Sequence, residues 1–338
     1  MNSALAVWCV TPHSSGGWGP VTALGELAGQ VFGTTTRFIH PQREYGRLRK
    51  AASLMPRPSF RDRALLLIAA HPGDLLSLTS PAAALGGFDR VGVWIIDSFW
   101  DERIPLFARK TRAIDHVWIT DGELVDRYRS AMRIPCEWLP WGTDALAAQP
   151  IPDKSVDVLR LGRQPNAWED DDLNRAAVQS VGLSYQGRFP MSPRGSKSYR
   201  EVLDQLRRAK VVLGSSSLDS PTDYRHPTRD YISARFTDAV ACGARIAGSR
   251  PQCMAADELP EEAWVPIDIR SRSRGAAELR EAILQHDPQR SARLAKHALQ
   301  RLDWRHRLRK IADGLKVSAP ELDAQLALVH RTAEGLVS

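Results

Sequence analysis

The chain has 338 residues, of which 43% are hydrophobic and 25% charged, with a net charge of +7. That length accommodates one large or two medium domains, and the composition is ordinary for a soluble globular protein, not a disordered or fibrous one. No run of 18 apolar residues occurs, so no transmembrane helix is expected, and four scattered cysteines without a C-x-x-C pair indicate neither a disulfide framework nor a zinc site.

Met1-Asn2-Ser3-Ala4-Leu5 lacks the charged start of a signal peptide and leads into a first strand over Leu5–Val10. Together with the cysteine usage, this points to a cytoplasmic protein. The loop that follows, Thr11-Pro12-His13-Ser14-Ser15-Gly16-Gly17-Trp18-Gly19-Pro20, is glycine-rich and permits close backbone approach to a ligand. It is not a Walker loop, since no Gly-Lys-Ser/Thr ends it. Helical spacing over Val21–Val31 gives way to a basic, proline-containing stretch between Arg37 and Arg63. Further apolar strand-like runs stand at Leu65–Ala70, Val91–Ile96, His116–Ile119 and Glu137–Leu139, with helical patterns at Ser80–Leu85 and Glu123–Met132. Ala70-His71-Pro72-Gly73-Asp74 resembles the Ala-His-Pro-Asp-Asp motif of zinc-dependent sugar deacetylases, but Gly replaces the first Asp and no His-x-x-His occurs. It reads as a strand-end turn, and no metal is expected.

A second series follows. Strands are expected at Val156–Leu161, Leu183–Tyr185, Val211–Leu213, Arg245–Ala247 and Trp264–Ile267. Helices are expected at Asp170–Val178, Tyr199–Ala209, Ser233–Ala241 and Ala276–Gln285. Two successive βα series imply an α/β protein of two Rossmann-like domains facing a cleft, with C-terminal helices. The expected boundaries are 1-140, 141-302 and 303-338, the last packing back toward the first domain.

The most informative stretch is Arg229-Asp230-Tyr231-Ile232-Ser233-Ala234-Arg235-Phe236-Thr237-Asp238-Ala239-Val240-Ala241-Cys242-Gly243. Two carboxylates eight positions apart are about 12 Å apart along a helix, too far for one small ligand. Asp230 therefore belongs on a loop and Asp238 within a helix. The amides from Tyr231 to Ala234 then sit at a helix N-terminus, which suits an anion such as a diphosphate.

This segment resembles the donor-nucleotide motif of retaining glycosyltransferases with the two-domain GT-B fold. There a Glu, seven residues and a second Glu precede Ala, a small residue, Ala, Cys or Met, and Gly. Both acids are Asp here. Trp138-Leu139-Pro140-Trp141-Gly142-Thr143-Asp144 looks like the Leu-Pro-x-Gly-Val-Asp turn before the second domain of that class. Trp94-Ile95-Ile96-Asp97-Ser98 and Arg235-Phe236-Thr237-Asp238 are similar to motifs of its spore-maturation-type branch.

The resemblance implies a nucleotide-sugar donor, retention of configuration, no cofactor and no metal. Arg163, after a strand, would hold the donor diphosphate, with Arg235 or Arg229 in place of a missing lysine. The amides of Tyr231, Ile232 and Ser233, and the loop at Gly17, would border the phosphates. Asp238 would accept from the ribose and Asp230 from a sugar hydroxyl. In an inverting enzyme, Asp97 or His13 would serve as base. The acceptor would be a glycan, a lipid-linked sugar or a small molecule.

Charge between Arg290 and Lys310 is also strongly basic, with apolar helical spacing at Leu294, Ala298, Leu299, Leu302, Leu308 and Ile311. Such a helix either packs by its apolar face or lies peripherally on an anionic membrane. Trp and Tyr are not interleaved with the basic residues, so no nucleic acid is expected as a partner. The alternatives are an epimerase or hydrolase of sugar nucleotides on the same fold, and a non-catalytic polyanion-binding protein.

Overall fold

The computed structural model describes residues 4–12, 16–40, 62–79, 87–109, 113–193, 195–220 and 224–336. His13, the helical pattern at Ser80–Leu85 and most of the basic stretch after Arg37 lie outside them. The chain forms two compact units. The first contains Met1–Pro140, Arg194–Ser196 and Arg305–Leu326; the second contains Trp141–Pro193, Lys197–Trp304 and Ala327–Ser338.

The first unit holds a six-stranded sheet of β1 (Ala4–Val10), β2 (Arg37–Ile39), β3 (Arg63–Ala69), β4 (Arg90–Ile95), β5 (His116–Ile119) and β6 (Cys136–Trp138). Their order is β2-β1-β3-β4-β5-β6 and every pairing is parallel. β3 reads Arg-Ala-Leu-Leu-Leu-Ile-Ala and is buried from Ala64 onward, the unbroken apolar run of a strand covered on both faces. Leu65, Leu67, Val93, Ile95, Val117 and Ile119 share one buried cluster. Trp118 lies beside Gly92, where an added Cβ would come within 2.5 Å of its ring. Helices α1 (Gly19–Val31) and α2 (Val125–Met132) belong to this unit.

The second unit holds five parallel strands, β7 (Val156–Arg160), β8 (Tyr185–Gln186), β9 (Ala209–Leu213), β10 (Arg245–Ala247) and β11 (Trp264–Val265), in the order β11-β10-β9-β7-β8. Its helices are α3 (Asp171–Ser180), α4 (Gly195–Arg208), α5 (Ala234–Ala241), α6 (Arg272–Leu284) and α7 (Pro288–His297). Side-chain oxygens of Asp170, Ser271 and Asp287 accept amides of the first turns of α3, α6 and α7, satisfying donors that a helix start leaves unpaired. Trp168 packs into this core near Gly275 of α6, and its indole N–H donates to Asp268 O at 3.3 Å.

The basic amphipathic pattern after Arg290 is not one helix. α7 passes into a π turn (Ala298–Leu302), an extended Asp303 (φ −62°, ψ 134°), and then α8 (Trp304–Gly314) and α9 (Pro320–Gly335). The break has a cause. Thr143 and Asp303 form an isolated parallel bridge: Thr143 N donates to Leu302 O at 3.0 Å, and Trp304 N to Thr143 O at 2.9 Å. The Ala145 amide also donates to Asp303 Oδ2 at 2.9 Å. The apolar positions Leu294, Ala298, Leu299, Leu302, Leu308 and Ile311 are all buried, as their spacing implies. Much of the basic side is engaged within the protein. Arg290 and Arg293 face Glu262, Arg305 donates to Gln325, Arg307 to Pro140 O, and Arg309 meets Asp313 and Asp323. Among the described residues no helix is long and apolar enough to cross a membrane.

Candidate functional site

A parallel sheet brings the carboxyl ends of its strands to one edge, where ligands of such folds bind. In the second unit the segments leaving β7, β9 and β10 start there. They are joined by the segment leading into α5, and Asp230 ties three of these pieces together. Its Oδ2 accepts from Ser216 Oγ (2.5 Å) and the Gln252 amide (3.0 Å), and its Oδ1 from the amides of Ser217 and Tyr231 (both 3.1 Å). Four accepted bonds match the four lone-pair sites of a carboxylate. Asp230 is thus the clamp of the strand-end loops. The Tyr231 amide, expected to face an anion, is taken by that carboxylate.

After β7 the chain turns at Gly162, whose φ of +71° lies in the left-handed region. Arg163 follows. Its Nη1 donates to Tyr224 O (2.7 Å) and its Nη2 to the Tyr231 hydroxyl (3.0 Å). Arg235, in the first turn of α5, donates from Nη1 to Arg163 O (3.3 Å) and from Nη2 to Ser215 O (3.0 Å), while its Nε is buried without an acceptor. An added Cβ on Gly162 would stand 3.2 Å from Arg235 Nη1, so the glycine leaves room for this guanidinium. Ile232 is buried, and Ser233 is the extended residue that starts α5, with no side-chain cap bond of its own.

Two buried arginines of this unit differ in one respect. Arg160, 1% exposed, is paired with Glu169 (2.8 Å) and Asp171 (2.9 Å). Burial alone would lower its pKa, but the bonds from Asp171 and Glu169 raise it above the ordinary value. Arg235, 9% exposed, has no carboxylate in ion-pair reach among the described residues and touches only carbonyl oxygens through its donors. Burial, with Arg163 adding, pulls it down to about 10, against opposing effects of Tyr231 and Asp230. A buried charge without a counter-charge is strongly unfavourable.

Asp238 lies in α5, 1% exposed. Its Oδ1 accepts from Thr143 Oγ1 (2.7 Å) and from the Tyr199 hydroxyl (3.0 Å). Burial, with Asp144 adding, pushes its pKa up to about 7, against the two hydroxyl bonds.

Residues 159–315 match a protein-family model described as glycosyl transferase-like. Solved structures align over nearly the whole chain. Anabaena HepE in complex with UDP-glucose has a TM-score of 0.57 at 10% identity, covering 92% of this chain and 99% of its own. The sucrose-phosphate synthase from Thermosynechococcus elongatus has a TM-score of 0.54 at 12% identity, covering 92% and 98%. A glycosyltransferase from Rickettsia africae has a TM-score of 0.54 at 8% identity, covering 94% and 98%. The chain has the two-unit fold of these glycosyltransferase structures, and residues 159–315 are similar to the glycosyl transferase-like family. No curated protein sequence matches it.

Of the expected site residues, the structure brings together Arg163, Tyr231, Ile232, Ser233, Arg235 and Asp230 in the second unit. Gly17 and Asp97 lie in the first unit. Gly17 is exposed, with open space where a side chain would project. Asp97 follows β4 and is half-buried, its amide donating to Ala70 O at 2.8 Å.

The His71-Pro72-Gly73-Asp74 motif is a strand-end turn after β3. The Gly73 amide donates to His71 Nδ1 (3.1 Å), which leaves the proton on Nε2, 3.6 Å from Asp74 Oδ1. Burial, with Arg103 adding, lowers His71 to about 4, and burial raises Asp74 to about 7. Among the described residues no group of three His, Cys, Asp or Glu side chains could hold a metal ion.

Sequence reading missed Ser216, Ser217 and Gln252 at the clamp, and Thr143 and Tyr199 at Asp238. The run Gly214-Ser215-Ser216-Ser217 directly after β9 was a usable signal, because strand ends are where loops meet ligands.

Proposed function

We propose that the protein transfers a sugar from a nucleotide-diphosphate donor whose diphosphate rests on Arg163, Arg235 and the first amides of α5. The observation that carries this reading is the burial of Arg235 without a counter-charge, beside a second cation and a helix start. As the bond to the sugar C1 breaks, negative charge grows on the leaving diphosphate. Fixed guanidinium groups and N–H donors aimed at it then stabilise the transition state more than the ground state. The likeness to HepE, whose structure holds UDP-glucose, supports a nucleotide sugar as donor. In this reading the diphosphate charge is met by guanidinium and amide groups without a resident metal. Transfer proceeds with retention, as the segment around Asp230 and Asp238 implies by resemblance. The acceptor is a glycan, a lipid-linked sugar or a small molecule.

The test is thermal denaturation of the full chain with UDP, GDP, dTDP, CMP, ADP and pyrophosphate, beside Arg235→Met. A ligand at a hundred times its Kd stabilises by about 2.7 kcal/mol. Stabilisation by one diphosphate in the wild type, lost in the variant, supports the reading and identifies the base. Flat responses of the folded wild type to all six ligands overturn it.

A further inference from the structure

The helix that presents Arg235 is tied to the segment with which the second unit begins. Thr143 Oγ1 and the Tyr199 hydroxyl donate to Asp238 Oδ1, at 2.7 and 3.0 Å. One residue earlier, Thr237 Oγ1 donates to Gly142 O at 2.9 Å. Tyr199 in turn accepts the Asp144 amide at 3.4 Å. Thr143 is held from its other side as well, by the backbone bonds to Leu302 and Trp304. Thr237 and Asp238, where the first turn of α5 passes into the second, thereby tie the helix to residues 142–144.

Thr143 and Asp238 are also places where the chain departs from the motifs it resembles: Thr stands for Val in the Leu-Pro-x-Gly-Val-Asp turn, and Asp for the second Glu. The shorter acid and the added hydroxyl meet each other. Both protein hydroxyls fall on the same oxygen of a residue 1% exposed, so the carboxylate is engaged with the protein's own groups rather than standing open to a ligand.

We propose that Asp238 is a positioning residue rather than a ribose ligand: it clamps Thr143 and Tyr199 and so fixes the turn of α5 that carries Arg235 and the anion-binding amides. This rests on the donor-site reading above. It predicts that loosening the clamp weakens every ligand of the anion site equally, with or without a nucleoside.

Calorimetric titration of the full chain decides it. The ligands are pyrophosphate and the nucleoside diphosphate selected by the denaturation panel. The variants are Thr143→Val, Thr143→Ser and Asp238→Asn. Loss of one buried hydrogen bond predicts that Thr143→Val weakens both ligands by the same factor, about three- to tenfold. Thr143→Ser restores the hydroxyl and binding to both. Asp238→Asn keeps an oxygen that accepts both hydroxyls, and stays within about threefold of the wild type for both ligands. A loss of tenfold or more for the nucleoside diphosphate in Asp238→Asn, with pyrophosphate unaffected, makes Asp238 a ribose ligand and overturns the proposal. Equal affinities in the wild type and Thr143→Val overturn it too. A wild type that binds neither ligand sinks the donor-site reading itself, a different result from either.

Discussion

Thr143 and Asp238 are 95 residues apart in the chain and joined by a hydrogen bond of 2.7 Å. The bond connects the first residues of the second unit to the helix that carries the candidate anion site. The bond works against the burial that sets how Asp238 titrates. Burial holds the group at about 7 in the folded protein, against about 3.9 in an unfolded chain. A raised carboxyl favours the folded state when protonated. Its contribution is therefore complete below about pH 4 and is lost as pH rises through about 7.

Asp74 and Asp121 are raised to about 7 for the same main reason, burial. Stability measured by urea denaturation should thus rise as pH falls from about 8 to about 6.5, below which the buried His71, lowered to about 4, begins to oppose the gain. Asp238→Asn should be more stable than the wild type at pH 8, by on the order of 1 kcal/mol or more, and about equal to it at pH 4. A wild-type curve flat over this range, or a variant with unchanged pH dependence, contradicts the assignment.

Arg160 and Arg235 should respond oppositely to the same replacement. Arg160→Met removes the partner of Glu169 and Asp171 and should destabilise by about 2–4 kcal/mol. Arg235→Met removes an uncompensated buried charge. It should leave the ligand-free protein as stable as the wild type, or more stable by about 1–2 kcal/mol, while diphosphate binding is lost. Chemical denaturation of both variants, without and with ligand, checks the pair. Equal destabilisation by both would show that Arg235 is balanced within the protein.

Asp230 should tolerate no amide. Each of its oxygens faces at least one backbone N–H, from Ser217 and Tyr231 on one side and Gln252 on the other. Whichever way an asparagine is turned, its NH2 meets a donor. Asp230→Asn is expected to cost about 2–3 kcal/mol, nearly as much as Asp230→Ala. A thermal midpoint within a degree of wild type would show that the clamp is not needed for folding.

Gly162→Ala tests the turn beside Arg235. The residue's φ of +71° disfavours any side chain, and the new Cβ would crowd Arg235 Nη1 at 3.2 Å. A loss of about 1 kcal/mol of stability, together with weaker diphosphate binding, is expected. Binding unchanged at equal loss of stability would separate the turn from the site.

Much of the fold was legible because parallel strands write themselves as continuous apolar runs. Leu65–Ala70 and Val91–Ile96 need no partner to be recognised. β2 was not legible, since Arg37, Phe38 and Ile39 are too few to show a period. The helix break at Asp303 was hidden for another reason. The apolar spacing continues across it, and the force that breaks the helix comes from Thr143, distant in sequence. The site shows the same division. Arg163, Arg235 and the start of α5 follow from local pattern. The partners of Asp230 and Asp238 do not, because the same carboxylate in the same motif is a ligand or a clamp depending on what folds against it.

The bridge between Thr143 and Asp303 has a topological consequence. The chain enters the main body of the second unit and leaves it at neighbouring points. Residues 141–304 therefore resemble a bead hung from two adjacent stitches. Ends so close can be joined by a short linker at little entropic cost. Cyclising that segment, or moving its termini to another surface loop, would leave the parallel sheet and the loops around Arg235 in their present order.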